Sequence, residues 1–194
     1  MSAKIITFEG IDGAGKSTLI DRLNAHYDEA GLVVWTTSEP FDLNCLARIQ
    51  AGLDDDPFVA TLHLMVDRRN HCKRIREQLD DHDLILIDRF DLSTEAYQGY
   101  GDGVSCELIR KLNDAATEGV TPAMRILLNV PLNVAVQRLI ESSESPSVDE
   151  IVRLERVRQA YGMMARRDQL RDIDASQPAD DVFRDAVRLI EEVL

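Results

Sequence analysis

The sequence predicts an α/β fold of three layers, a five-stranded parallel sheet with helices on both faces. Three observations carry this expectation. Short apolar runs alternate with helix-length segments along the whole chain, the pattern of strand–helix–strand units joined by crossovers. The clearest run, Asp83-Leu84-Ile85-Leu86-Ile87-Asp88, is apolar without alternation and ends in an acid, as strands buried on both faces do. Finally, Gly10 to Ser17 has the spacing G-x-x-x-x-G-K-[ST] and stands between a strand pattern and a helix pattern, the context that this phosphate-binding turn needs.

Taken in order, Ile5, Ile6 and Phe8 mark the first strand, and Ser17 to Leu23 open the first helix. Gly31 introduces a second strand at Leu32-Val33-Val34-Trp35; Ser38-Glu39-Pro40 ends it, and a short helix is expected from Asn44 to Gln50. Asp54-Asp55-Asp56-Pro57 is a helix start signal, with acids at the N-terminus and proline in the first turn. It leads a long helix from Phe58 to Leu79, followed by the third strand at 83–88. A loop and helix cover Arg89 to Tyr97, and another helix covers Cys106 to Thr117. Met124 to Val130 is the fourth strand, Pro131 opens a helix to Ile140, and the polar stretch ESSESPSVD (141–149) reads as flexible. A helix from Glu150 to Arg166, a short strand at Ile173 and a helix from Asp180 to Leu194 close the chain. No repeat occurs, and no linker is long enough to divide the 194 residues, so one domain is expected.

Composition narrows the class. No run of about 18 apolar residues is present, so no membrane-spanning helix is expected. The first strand and glycine turn follow Met1 so closely that no secretory leader is expected. Cys45, Cys72 and Cys106 are odd in number and widely spaced; they read as reduced thiols of a cytoplasmic protein. The formal net charge of −13 argues against a broad nucleic-acid or anionic-membrane surface. Any polyanionic substrate must therefore be held by a few local cations.

One such cation, Lys16, stands in the glycine turn. Gly10, Gly13 and Gly15 let the backbone curl so that its N–H groups, Ala14 included, point inward; Ser17 and Thr18 begin a helix whose N-terminus favours phosphate. Lys16 can reach the terminal phosphates of a nucleotide, and the Ser17 hydroxyl can ligate Mg²⁺. Asp88, at the end of an apolar strand, is the usual partner for that metal. These residues alone indicate a magnesium-dependent nucleotide-phosphate enzyme.

Two longer stretches sharpen the reading. GIDGAGKST (Gly10–Thr18) and DRFDLSTEAYQGYG (Asp88–Gly101) resemble the thymidylate kinase family, P-loop enzymes that move the γ-phosphoryl group of ATP to dTMP. TSEP (Thr37–Pro40), LMVDRRNH (Leu64–His71) and IDASQPADDV (Ile173–Val182) match further segments of that family in the same order. The resemblance implies the P-loop kinase fold, ATP and a deoxynucleoside monophosphate as substrates, Mg²⁺, a homodimer, and a lid near residues 140–149. It implies that Asp12 accepts the 3′-hydroxyl of the acceptor sugar and that Arg89 clamps the acceptor phosphate. Arg68 would hydrogen-bond a thymine carbonyl, Ser93 and Gln98 would reach the base, and Tyr97 would lie where a 2′-hydroxyl projects. Glu39 would line the acceptor site, and Ala175 and Gln177 the adenine side.

The chain also departs from the family pattern. Leu64 stands where an aromatic usually stacks on thymine, and Ser38-Glu39-Pro40-Phe41-Asp42-Leu43 replaces R-E-P-G-G-T. Leu139 to Val152 contains no basic residue, although members with Gly13-Ala14 in the loop take catalytic arginines from the lid. Leu154, Val157, Tyr161 and Met164 mark the buried stripe of the following helix. Arg158 falls roughly 40° from Leu154 on that helix. Arg158, assisted by Arg153 nearest the lid, is therefore the expected replacement, with Arg158 pairing an acid beside the core as the alternative. Another nucleotide or deoxynucleoside kinase, or a nucleotide-binding protein with weak turnover, remain open as rival functions.

Overall fold

The computed structural model describes residues 2–50 and 56–194. Five parallel strands form one sheet in the order β2-β3-β1-β4-β5: β1 Lys4–Glu9, β2 Val34–Ser38, β3 Leu84–Asp88, β4 Met124–Asn129 and β5 Arg171–Asp174. Period-two alternation divides the strands between two apolar layers. Ile6, Phe8, Leu84 and Leu86 pack in a cluster with the helices α1 (Lys16–Glu29), α7 (Val148–Arg167) and α8 (Ala179–Ile190). Their neighbours Ile5, Ile85 and Ile87 join Cys72 and Ile75 of α3 (Pro57–Gln78) on the other face. The three-layer parallel fold expected from the sequence is the one observed.

The remaining helices are α2 (Leu43–Gln50), α4 (Asp91–Thr94), α5 (Cys106–Thr117) and α6 (Leu132–Glu141). Asp56 caps α3 by accepting from the Phe58 amide, with Pro57 opening the first turn; Asp54 and Asp55, part of the same expected signal, lie outside the described residues. Boundaries move where side-chain capping decides them. α7 starts at Val148 rather than Glu150 because Ser147 and Glu150 form a reciprocal capping box. β2 starts at Val34 because Leu32 still donates to Tyr27 at the end of α1. α8 stops at Ile190, and the last residues form a turn instead of more helix. Between α6 and α7 only residues 142–147 are irregular.

One unanticipated element follows α4. Glu95–Gly101 is π-helical, closed by bonds such as that from the Asp102 amide to the Tyr97 carbonyl, 2.9 Å. Such turns concentrate at functional sites. Strand register sets the rest: Phe8 pairs with Asp88, Ser38 with Asp88 and Asn129 with Asp174, so the carboxyl ends of the strands lie side by side. That edge is where open parallel sheets bind ligands. Among the described residues no helix is long and apolar enough to cross a membrane.

Candidate active site

The turn after β1 has the geometry of a phosphate cradle. Gly13 (φ 79°) is required twice over, since a Cβ there would run into the Ala135 carbonyl. Gly15 (φ 92°) takes the left-handed conformation directly ahead of α1. Lys16 is folded back over the loop, donating to the carbonyls of Gly10 (3.1 Å) and Ile11 (3.0 Å). Burial, aided by the nearby Arg89 charge, brings its pKa down to about 8. Ser17 donates to Asp88 Oδ2 at 2.7 Å, while Asp88 Oδ1 is shielded from solvent and has no hydrogen-bond partner among the described residues. A hydroxyl oxygen beside a half-satisfied carboxylate is a hard-oxygen donor set, and it fits Mg²⁺.

A cleft of about 770 Å³ runs along this edge, lined by Asp12 to Leu19, Glu39, Asp88 and Arg89 at one end and by Ala175, Gln177 and Val182 at the other. At the first end Asp12 and Arg89 line the cleft, and buried Tyr97 meets both of them from behind. Arg89 donates to Asp12 at 2.5 Å, and the Tyr97 hydroxyl donates to the other Asp12 oxygen at 2.9 Å. Burial works against the Asp12 charge, but Arg89 and Lys16 together hold its carboxyl below the ordinary value. Arg89 has a left-handed backbone (φ 67°) and also donates to Gly10 O, which aims its guanidinium across the loop. Ala175 and Gln177 sit at the far end, with Ala175 O accepting from Arg138 (2.9 Å) and Gln177 donating to Asp185 (3.0 Å).

The base-contacting set is placed differently from expectation. Arg68 is 1% exposed, and its donors are spent on Glu39 (2.5 and 2.9 Å), Asn113, Phe90 O and Thr94. It is a structural cation beneath the site, because buried Glu39 needs a counter-charge and Arg68 supplies the matching fork. Burial opposes the Glu39 charge, yet Arg68 and the His71 hydrogen bond hold its carboxyl low. Ser93 is likewise turned inward, donating to Glu9 (2.6 Å) and lying 2.8 Å from the Tyr161 hydroxyl, so it does not reach toward a base. Leu64 is buried and Gln98 half-buried; neither lines the cleft.

The expected replacement arginines part company. Arg158 forms a two-pronged pair with Glu155 and lines a separate groove with Asn129, Asp172 and Asp174. It therefore does not reach the phosphate loop: its place at the edge of the buried stripe turns it toward the β4–β5 edge, where Glu155 neutralises it. Arg153 instead grips Asp102 with two bonds, 2.5 and 2.6 Å, and stands over the Tyr97 ring.

Three residues stand at the site to which the sequence reading gives no role there. Arg138, in the last turn of α6, approaches the carbonyls of Gly13 (3.4 Å) and Ala14 (3.5 Å) and lines the cleft. A basic residue seven positions after Pro131, on the helix leaving β4, was the available signal. Glu9 and Tyr161 form a buried cluster behind Arg89: Glu9 accepts from the Phe90 amide, Ser93 and Tyr161. Burial pushes the Glu9 carboxyl up to about 7. An acid closing an apolar strand just before the loop was the hint there.

Similarity to known proteins agrees with this geometry. The Thymidylate kinase family profile matches residues 8–186. The chain is 37% identical to a thymidylate kinase of Desulfovibrio desulfuricans, covering 97% of this chain and 95% of that one. It is 33% identical to a probable thymidylate kinase of Saccharolobus solfataricus, with 98% of each chain covered. The crystal structure of thymidylate kinase from Ehrlichia chaffeensis superposes with a TM-score of 0.76 at 27% identity, covering 98% and 99% of the two chains. With the phosphate cradle, the parallel sheet and these relatives in agreement, the chain belongs to the thymidylate kinase family.

Proposed function

We propose that this protein transfers the γ-phosphoryl group of ATP to dTMP, giving ADP and dTDP. The observation that carries the reading is the meeting of Asp12 and Arg89, with Tyr97 bonded behind them, at the end of the cleft opposite Ala175 and Gln177. Two substrates placed at these two ends would bring their phosphates together over Lys16. The protein's task is then to align them and to meet the charge of the transferring group. Lys16 and the loop amides hold the donor phosphates, and Arg89 takes the acceptor phosphate. Asp12 receives the sugar 3′-hydroxyl, and Tyr97 occupies the space beside C2′. Ser17 and Asp88 would hold Mg²⁺, which when bound neutralises phosphate charge.

Arg138 supports turnover rather than mere nucleotide binding. It brings a permanent cation to a loop whose lid segment, 142–147, has none of its own. Closure of the stretch 140–149 over the phosphates would draw it inward. The exposed apolar row Phe58, Val59, Leu62 and Val66 on α3 supports a homodimer, to be checked by sedimentation equilibrium. Coupled ADP-release assays with dTMP, dUMP, dCMP, dGMP and UMP test the main reading: dTMP should give the highest kcat/KM. A purine or ribonucleotide in first place would refute it.

A further inference from the structure

Two guanidinium groups stand over the ring of Tyr97, Arg89 at 4.9 Å and Arg153 at 5.2 Å from its centroid. Arg89 has a part in phosphate binding; Arg153 has none in the mechanism above. It comes from α7, and both prongs of its fork are occupied by Asp102. Asp102 in turn closes the π-helical turn that begins at Tyr97, its amide donating to the Tyr97 carbonyl at 2.9 Å. In an α-helix residues 97 and 102 would point about 140° apart; i→i+5 bonding brings them into line. The three residues thus make a closed circuit: Tyr97 backbone to Asp102 amide, Asp102 carboxylate to Arg153, Arg153 guanidinium to Tyr97 ring. α7 approaches closely enough to keep it shut, because a Cβ on Gly101 would lie 3.2 Å from Val157 and 3.5 Å from the Arg153 stem.

We infer that Arg153 and Asp102 are positioning residues for sugar selection, fixing where the Tyr97 ring stands and so how firmly a 2′-hydroxyl is refused. The inference rests on the reading of Tyr97 as the neighbour of C2′. The Tyr97 hydroxyl is anchored at its tip by Asp12, and Arg89 stands over the ring as well, but Arg89 is also the group read as turning to the acceptor phosphate. Arg153 supplies a support from α7 that has no such second task. It does so as a cation over the ring face, and it is itself held against rotation by a carboxylate fork.

The test measures kcat and KM for dUMP and UMP, which differ only at C2′. Parent, Arg153→Ala, Arg153→Met, Asp102→Asn, the Asp102→Asn/Arg153→Ala double variant and Tyr97→Ala are compared. A ring that refuses one hydroxyl gives a preference on the order of 10²-fold in the parent. Arg153→Ala should reduce it at least about fivefold, chiefly by lowering the KM for UMP, with kcat for dUMP within about threefold of the parent. Arg153→Met, which keeps the stem beside Gly101, should do the same, so loss of packing cannot account for the change. The double variant should be no worse than Arg153→Ala, since the pair acts as one unit. A preference narrowed by Tyr97→Ala but untouched by Arg153→Ala and Arg153→Met would overturn the inference and leave the Tyr97 reading standing. Equal loss of kcat on both acceptors with the preference intact would overturn it in favour of a role in phosphoryl transfer. No preference in the parent would remove both.

Discussion

Arg89 and Asp12, 77 residues apart, meet at 2.5 Å across the mouth of the cleft. The guanidinium proposed to clamp the acceptor phosphate is therefore already aimed, and held by a carboxylate of the loop it faces. An incoming phosphate finds a preorganised fork and displaces one partner for another, without first ordering a long side chain.

Replacing that fork should cost more than a conserved charge suggests. Arg89→Lys keeps the charge but loses the planar pair of donors and the bonds to Gly10 O and Asp12. kcat/KM for dTMP is expected to fall at least ~10²-fold, about 2.7 kcal/mol of transition-state stabilisation. Steady-state kinetics within fivefold of the parent would show that a point charge is enough.

Lys16 should impose an alkaline limit on ATP capture. Buried in the loop, its amine has a pKa of about 8; bound phosphates favour the charged form and raise it. kcat/KM for ATP, which reports the free enzyme, is expected to decline above pH ~8, while kcat at saturating ATP stays level to higher pH. Lys16→Ala should nearly abolish turnover. A rate within about tenfold of the parent, a loss of only ~1.4 kcal/mol, would be too small for a γ-phosphate clamp.

Glu9 should make stability fall with rising pH over a defined window. Its folded pKa of about 7 lies above the ordinary 4.5, so between these values the folded protein binds more protons than the unfolded chain. Unfolding free energy then drops with pH from ~4.5 to ~7, by at most ~1.4 kcal/mol per pH unit, and the Glu9 contribution is constant outside that range. Glu9→Gln should flatten this part of the profile relative to the parent in urea titrations. Parallel profiles for the two proteins would show that Glu9 ionises normally.

The two arginines that flank the lid should behave oppositely. Arg158 is paired with Glu155 away from the loop, so Arg158→Ala should leave the single-turnover rate within about threefold. Arg138 touches the loop carbonyls and Ala175 O at the far end of the cleft, so Arg138→Ala should raise KM for ATP at least about tenfold and lower kcat as well. The reverse pattern would return the catalytic charge to α7.

Local sequence settled much of this protein. The glycine spacing, the lysine after it and the acid ending an apolar strand fix backbone shape and charge within a few residues, so the phosphate loop and Asp88 were legible directly. The order of elements was legible for the same reason, since period and capping are short-range properties. What the chain could not reveal by itself is which partner each long polar side chain chooses. Arg68 and Arg158 look available in sequence, yet each is claimed by a protein acid, Glu39 and Glu155 respectively. Arg138, Glu9 and the Arg153–Asp102 clamp gain their places only when α6, β1, α7 and the π-helical turn pack around one sheet edge. Burial forces every charge there to find a partner, and the nearest partner in space is decided by strand register and helix packing, not by distance along the chain.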